Sequence, residues 1–397
     1  MRTFRLILVA LACATATRGA LAAQSAANAA SPPSVERMIP LARVKKIIAH
    51  REKIVSPHGI QQQFLLPIGG IRQWISIRGH DLRNPILLVL HGGPGSPEAP
   101  AAWTFQSPWE DYFTVVEWAQ RGTGKTYAAN SRAAMAPGMT INGMAHDAAE
   151  LVQYLRHRFG KKKIFLMGHS FGTVLGVTLA QRHPDWFYAY IGVGQIVNFR
   201  RGEHIGYEWA LKQARDHHNA EAVKELTAIA PYPGKHVTIA HVGVRSKWEM
   251  YYGGLAWGRK DFSWDSDTWR LSPEYSERDL KAIDAGSLFS LEHLLPQLMA
   301  VNFDHVTDFK CPVIMFVGAH DYTTPHTLIT HWFARLQAPS KKLVVFADSA
   351  HMIMEEQPGR FLVHLVTDAL PYARKAGDVA PDEETRGAAD SGESRRR

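Results

Sequence analysis

Short runs dominated by large apolar residues alternate with stretches of helical periodicity through most of this 397-residue chain. The runs at 86–90, 113–118, 163–167, 188–193, 312–317 and 343–346 are too short for buried helices and have the composition of strands covered on both faces. Residues 61–66 and 71–77 flank Gly69-Gly70 and read as a hairpin. Between the runs, 142–159 sets Met144, Ala148, Leu151, Val152 and Leu155 on one face of a helix, and a second helical pattern, 170–182, follows its strand after a single tight turn. Parallel neighbours need a crossover, and a helix is the usual one. The alternation therefore predicts an α/β fold, a mostly parallel sheet flanked by helices.

The alternation lapses between 196 and 304. Helical patterns at 207–214 and 219–229 continue there without buried strands, and the stretch holds Trp209, Trp248, Trp257, Trp264 and Trp269. It reads as a largely helical insertion whose aromatics either line a cleft or form its own core. It divides the α/β unit into a first part, 41–195, and a second, 305–374. Residues 1–22 have the pattern of a signal peptide: Arg2 and Arg5, an apolar stretch too short to span a bilayer, and Ala20-Leu21-Ala22 before the cleavage point. Cleavage after Ala22 or Ala23 implies export to the periplasm or beyond the cell. Lipidation at Cys13 is the alternative, but Ala10 stands where a large aliphatic residue is usual. Residues 23–40, rich in Ala, Ser and Pro, read as a flexible leader. Residues 375–397 hold few large apolar side chains and read as a disordered tail.

Charge and cysteine content narrow the function. The formal charge of +8 comes from 45 basic and 37 acidic residues dispersed along the chain, and removal of the signal leaves 42 against 37. No basic block points to nucleic acid. Without Cys13 the only thiol is Cys311, directly before an apolar run, where a small core residue is expected and no disulfide is possible. Gly122-Thr123-Gly124-Lys125-Thr126 ends like a phosphate-binding loop, but Ala119 occupies the position of its required first glycine. His217 and His218 are helix neighbours that point in different directions, and no metal-ligand spacing occurs, so neither a metal nor a cofactor is expected.

Chemistry concentrates at four turns. Gly168-His169-Ser170-Phe171-Gly172 lies between a strand and a helix, where a sharp turn exposes a serine hydroxyl and side chains larger than hydrogen on its flanks would clash. A nucleophilic serine requires a base and a group that orients the base. Asp321 follows the strand 312–317 and His351 follows the strand 343–346, giving the chain order Ser, Asp, His. Asp348 reads as a turn residue, and His320 is the competing histidine. The turn His91-Gly92-Gly93-Pro94-Gly95 follows the strand 86–90 and can offer bare backbone N–H groups to a tetrahedral oxyanion. Gly93 and Phe171 are the expected donors, with His91 structural.

HGGPG at His91, the Gln120-Arg121-Gly122-Thr123-Gly124 turn, the elbow at Ser170 and the loops of Asp321 and His351 together resemble the proline iminopeptidase family of alpha/beta-hydrolases over about 61–370. The resemblance implies the alpha/beta-hydrolase fold with 196–304 as a helical cap. It also implies a cofactor-free serine hydrolase that releases amino-terminal residues, often proline, from small peptides or amides. The family usually has Gly-Gly-Ser-Trp-Gly at the elbow and Asp before Gln-Arg-Gly, where this chain has His169, Phe171 and Ala119. Exopeptidase action needs an acid for the substrate ammonium, and Glu203 and Glu208 at the start of the insertion are the candidates. The alternatives are a carboxylesterase or amidase for apolar acyl substrates, and a noncatalytic binding protein on the same fold.

Overall fold

The computed structural model describes residues 39–381; the expected signal peptide and residues 382–397 lie outside the described residues, as does the leader up to residue 38. An opening helix, α1 (Leu41–Arg51), buries none of its side chains, and Lys45 ties it to the Tyr275 carbonyl at 2.7 Å. Then comes the hairpin of β1 (Ile60–Ile68) and β2 (Ile71–Gly79), closed at Ile68 opposite Ile71. The remaining strands are β3 (Ile86–Leu90), β4 (Thr114–Ala119), β5 (Ile164–His169), β6 (Phe187–Val193), β7 (Val313–Gly318) and β8 (Lys341–Phe346). They form an eight-stranded sheet in the order β1-β2-β4-β3-β5-β6-β7-β8. β1–β2 and β2–β4 pair antiparallel and every later pair is parallel. The α/β architecture read from the sequence is the one observed, with strand limits shifted by one or two residues.

Period-two alternation divides the core. Along β3, Leu88 and Leu90 join one apolar layer with Met144, Leu151, Val174 and Trp332, while Leu87 and Val89 join the opposite layer with Trp109, Phe165, Phe316 and Phe361. Each such buried side chain contributes about 1.5–3 kcal/mol. The first layer is covered by α4 (Ile141–Arg158), α5 (Gly172–Arg182) and α11 (His326–Arg335). Short helices α2 (Gly124–Ala128) and α3 (Arg132–Met135) precede α4, and α12 (Ile353–Glu356), α13 (Pro358–His364) and α14 (Leu370–Lys375) close the second layer. No helix among the described residues is long and apolar enough to cross a membrane.

Five helices stand between β6 and β7: α6 (Phe199–Asp216), α7 (Ala220–Ala228), α8 (Ile239–Tyr251), α9 (Ser263–Leu271) and α10 (Glu277–Leu298). Side-chain caps start four of them, from Asn198, Asn219, Thr238 and Ser276, the last in a capping box with Asp279. Such caps contribute about 1 kcal/mol each. Tyr207, Leu211, Leu226, Tyr232 and Trp248 give the insertion a core of its own. Residues 375–381, read from the sequence as part of a tail, pack on the fold. Asp378 pairs with Lys161 and accepts a 3.0 Å bond from the Tyr188 hydroxyl, Val379 and Ala380 are buried, and the Ala380 amide reaches Asn84 Oδ1 at 3.3 Å. Its few apolar residues find a receptor more than a hundred positions away in the chain, which local composition does not reveal.

One buried ion pair locks the hairpin to α4. Arg121 of the Gln-Arg-Gly turn gives Asp147 two bonds, at 2.8 and 3.2 Å, and the Gly69 carbonyl one at 2.6 Å; Gln73 adds 2.8 Å to the same carboxylate. A Cβ on Gly69 would lie 1.8 Å from Asp147 Oδ1, so only glycine permits this approach. Asp147→Ala would strand a buried guanidinium and is expected to lower the unfolding free energy by about 3–5 kcal/mol, measured by urea denaturation.

Candidate active site

The turn from β5 into α5 is set by steric necessity. A Cβ on Gly172 would stand 1.9 Å from the Leu90 carbonyl oxygen of β3, and one on Gly168 would stand 2.7 Å from the Gly172 oxygen. Between them Ser170 takes φ +52°, one of two non-glycine residues with positive φ among the described residues. For an L-residue that conformation costs about 1–2 kcal/mol. It is held by the Ser170 amide donating to Val193 O at 3.0 Å and by Thr173 donating to the Ser170 carbonyl from both its amide and its hydroxyl, at 2.9 and 2.6 Å.

Asp321 and His351 meet from separate loops. His351 Nδ1 donates to Asp321 Oδ2 at 2.8 Å, and Thr324 satisfies the same carboxylate from its hydroxyl to Oδ2 and its amide to Oδ1, each at 2.8 Å. Gly194, at φ +56°, lies beneath the imidazole, where a Cβ would stand 2.7 Å from Cε1. His351 Nε2 is buried and has no hydrogen-bond partner among the described residues, Ser170 included. The proton on Nδ1 leaves Nε2 as an acceptor. Asp348 is exposed, and His320 stacks on Trp257 at 3.5 Å between ring centroids, on the rim of an aromatic groove with Trp209, Tyr251 and Tyr322.

The HGGPG turn closes over the serine. A Cβ on Gly92 would be 3.0 Å from Ser170 Cβ. His91 is structural: its Nδ1 donates to Gly92 O at 2.9 Å, its Nε2 accepts the Gln120 amide at 3.1 Å, and burial pulls its pKa below the ordinary imidazole range. The Gly92 amide donates to Glu98 Oε1 at 3.1 Å, whereas the amides of Gly93 and Phe171 have no acceptor among the described residues. Glu98 also takes His169 Nδ1 at 2.5 Å, and His169 Nε2 donates to the His351 carbonyl at 3.1 Å. Thr324 and Glu98 have no motif that marks them in the sequence, and His169 is visible there only as a departure from the family elbow.

The insertion reaches the HGGPG and Gln-Arg-Gly turns and the loops of Asp321 and His351. Ser287 and Ser290 of α10 donate to the carbonyls of Gly95 and Gly122, at 2.7 and 3.2 Å. After α8, the Gly254 and Leu255 carbonyls accept the amides of Tyr322 and His351, each at 3.0 Å, and Glu356 bridges the amides of Trp257 and Ala350. Of the two acids expected to offer a free carboxylate, one is occupied by protein partners and the other faces solvent. Glu203 is buried with Arg245 on Oε1 at 2.9 Å and the Tyr232 hydroxyl on Oε2, and Glu208 is exposed on α6. Arg245 also pairs with Glu249, whose carboxyl burial pushes up to about 7 and which accepts a bond from Thr323. The register of α6 decides this, turning Glu203 inward to Arg245.

The insertion's tryptophans divide between the two roles. Trp248 is core, Trp209 and Trp257 line the groove, Trp264 is exposed and Trp269 packs beside Trp74 and Tyr275. Lys125 of the phosphate-loop-like stretch lies over Trp74 and Tyr275, 4.4 and 4.3 Å from their ring centroids. Cys311 is buried in the core, and burial pushes its thiol up to about 11. Among the described residues no group of three His, Cys, Asp or Glu side chains could hold a metal ion.

A family model described as the alpha/beta hydrolase family matches residues 86–364. The chain belongs to that family. Its relatives include a probable aminopeptidase, YbaC, of Bacillus subtilis, 33% identical over 75% of this chain and 92% of the relative. A proline iminopeptidase of Xylella fastidiosa is 27% identical over 68% of this chain and 84% of its own length. In fold, the chain is similar to the solved proline iminopeptidase of Mycobacterium smegmatis, with a TM-score of 0.56 and 18% identity over 79% of this chain and all of that one.

The strain at Ser170 has a measurable counterpart. Ser170→Gly, which removes the Cβ that makes φ +52° unfavourable, is expected to be about 1 kcal/mol more stable than Ser170→Ala in chemical denaturation.

Proposed function

We propose that the chain is a serine hydrolase of the aminopeptidase type, exported in keeping with its amino-terminal sequence, that acts on small peptides or amides. The observation that carries the reading is the buried, unpartnered Nε2 of His351, whose Nδ1 is pinned to Asp321, beside a serine held in a left-handed turn. In this reading Ser170 Oγ attacks the substrate carbonyl as His351 Nε2 takes its proton, and the charge on the imidazolium is balanced by Asp321. The free amides of Gly93 and Phe171 receive the oxyanion. Collapse of the tetrahedral intermediate breaks the C–N bond, and His351 returns the proton to the leaving amine. Water, activated by the same imidazole, then releases the acyl group from Ser170. The relative named as a probable aminopeptidase supports the peptidase assignment.

A second reading, an esterase or amidase for apolar acyl groups, has one observation in its favour. Both oxygens of Glu203 are occupied, so that acid offers no free site to a substrate ammonium.

Prolyl- and alanyl-arylamides, their N-acetylated forms and short-chain aryl esters, assayed with wild type and Ser170→Ala, separate the readings. Faster turnover of the free-amine arylamides, reduced by roughly 10⁶-fold or to background in Ser170→Ala, is the expected result. Cleavage of esters alone would establish the second reading, and activity retained by Ser170→Ala would remove both.

A further inference from the structure

The residue before the serine departs from the family elbow, and the structure gives it a specific set of partners. His169 lies between two parts of the site and bonds to both. On one side Nδ1 meets Glu98 Oε1 at 2.5 Å, and that same oxygen accepts the Gly92 amide at 3.1 Å. On the other side Nε2 meets the backbone carbonyl of His351 at 3.1 Å, with the two imidazole rings 4.7 Å apart. His169 and Glu98 are 3% and 5% exposed, so water does not compete for these bonds.

The partners fix the protons. A carbonyl oxygen can only accept, so Nε2 of His169 carries hydrogen. Glu98 Oε1 accepts the Gly92 amide as well, which favours its carboxylate form and so places the second proton on Nδ1. The favoured pair is imidazolium and carboxylate. We propose that His169 is a charged positioning residue: with Glu98 it holds the oxyanion turn at Gly92 and the base loop at His351 in fixed register on either side of Ser170. It touches no reacting atom. Glycine, usual at this position of the family elbow, has no side chain with which to make the link.

The electrostatics agree with the geometry. Burial is the largest single influence on His169 and opposes its charge, but Glu98, the His351 carbonyl and Asp321 together outweigh it and the pKa is raised. Burial likewise opposes the charge on Glu98, and His169, His91 and the Gly92 amide together outweigh it, lowering the carboxyl pKa. Other ionisable groups around the pair are His91 from the HGGPG turn, Asp321 from the loop after β7 and His351 from the loop after β8. Glu117 on β4 and Glu355 on α12 face Glu98 more remotely. A raised imidazole pKa means the link is intact below the folded value and is lost as pH rises through it. A lowered carboxyl pKa means that it is lost at the acid end only below the ordinary carboxyl range.

The inference rests on the reading of Ser170 as nucleophile, so the test first labels Ser170 with a fluorophosphonate and then follows the labelling rate and arylamide or ester kcat against pH. Wild type should lose reactivity on the alkaline side. His169→Gln and Glu98→Gln should react about 10- to 100-fold more slowly with KM nearly unchanged, should lack the alkaline limb, and when combined should be no slower than either alone. A folded His169→Gln with wild-type rate and wild-type alkaline limb overturns the inference while leaving the nucleophile in place. No labelling of wild type at Ser170 removes the underlying reading and the inference with it. Should His169→Gln fail to fold, nitrogen-15 NMR of histidine in the wild type decides: protons on both ring nitrogens of His169 at neutral pH sustain the inference, and a neutral tautomer overturns it.

Discussion

The approach of α5 to the end of β3 is the constraint on which the site depends. With no room for a Cβ between Gly172 and the Leu90 carbonyl, the chain can enter the helix only by a turn that lifts Ser170 out of ordinary backbone space. Leu90 is also the last residue before HGGPG, so the contact that strains the serine brings the glycine-rich turn over it, to 3.0 Å between Ser170 Cβ and the position of a Gly92 Cβ. Nothing in the turn itself favours φ +52° for serine. The conformation persists because the sheet, packed on both faces, over-determines it.

The insertion is part of this arrangement rather than an appendage to it. Its last helix, α10, packs so closely on the two turns that a Cβ on Gly95 would lie 2.7 Å from Ser287 Cα, and one on Gly286 would lie 2.4 Å from the Gly122 carbonyl oxygen. The loop after α8 supplies backbone acceptors to Tyr322 and His351. The acid and base loops thus have hydrogen-bond partners that arrive from 60 to 100 positions earlier in the chain, and their geometry is complete only when the helices have docked. This is physically consistent with a site that combines a rigid sheet edge with loops clamped from above.

How much of this was legible in the sequence depends on the range of the interaction. The central strands follow from short unbroken apolar runs and α4 from its helical periodicity, because burial on both faces or on one is recorded directly in the local residues. The turns at His91, Gln120 and Ser170 follow from their glycines, which stand out in the sequence even though the neighbours that require them, Leu90 for Gly172 and Ser287 for Gly95, lie far along the chain. The partnership of Thr324 with Asp321, only three residues on, leaves no pattern, since a threonine in a loop has many uses. Glu98 and His169 are 71 positions apart, and neither is unusual until the fold joins them. The same limit applies to the tail, where Asp378 meets Lys161 across 217 positions.

Glu203 shows what register adds to motif. The sequence offers it as an acid free to bind an amine, yet α6 buries it against Arg245, and the network continues through Glu249 and Thr323 to the loop that carries Asp321. Removing one member of such a buried set exposes the others to an uncompensated charge, so its weight falls on the acid loop rather than on a ligand. Two carboxyls share one guanidinium there, and burial has pushed Glu249 up to about 7. The cluster ties α6 and α8 to the loop of Asp321 and acts as a strut beside it, with no carboxylate left free for a ligand at Glu203.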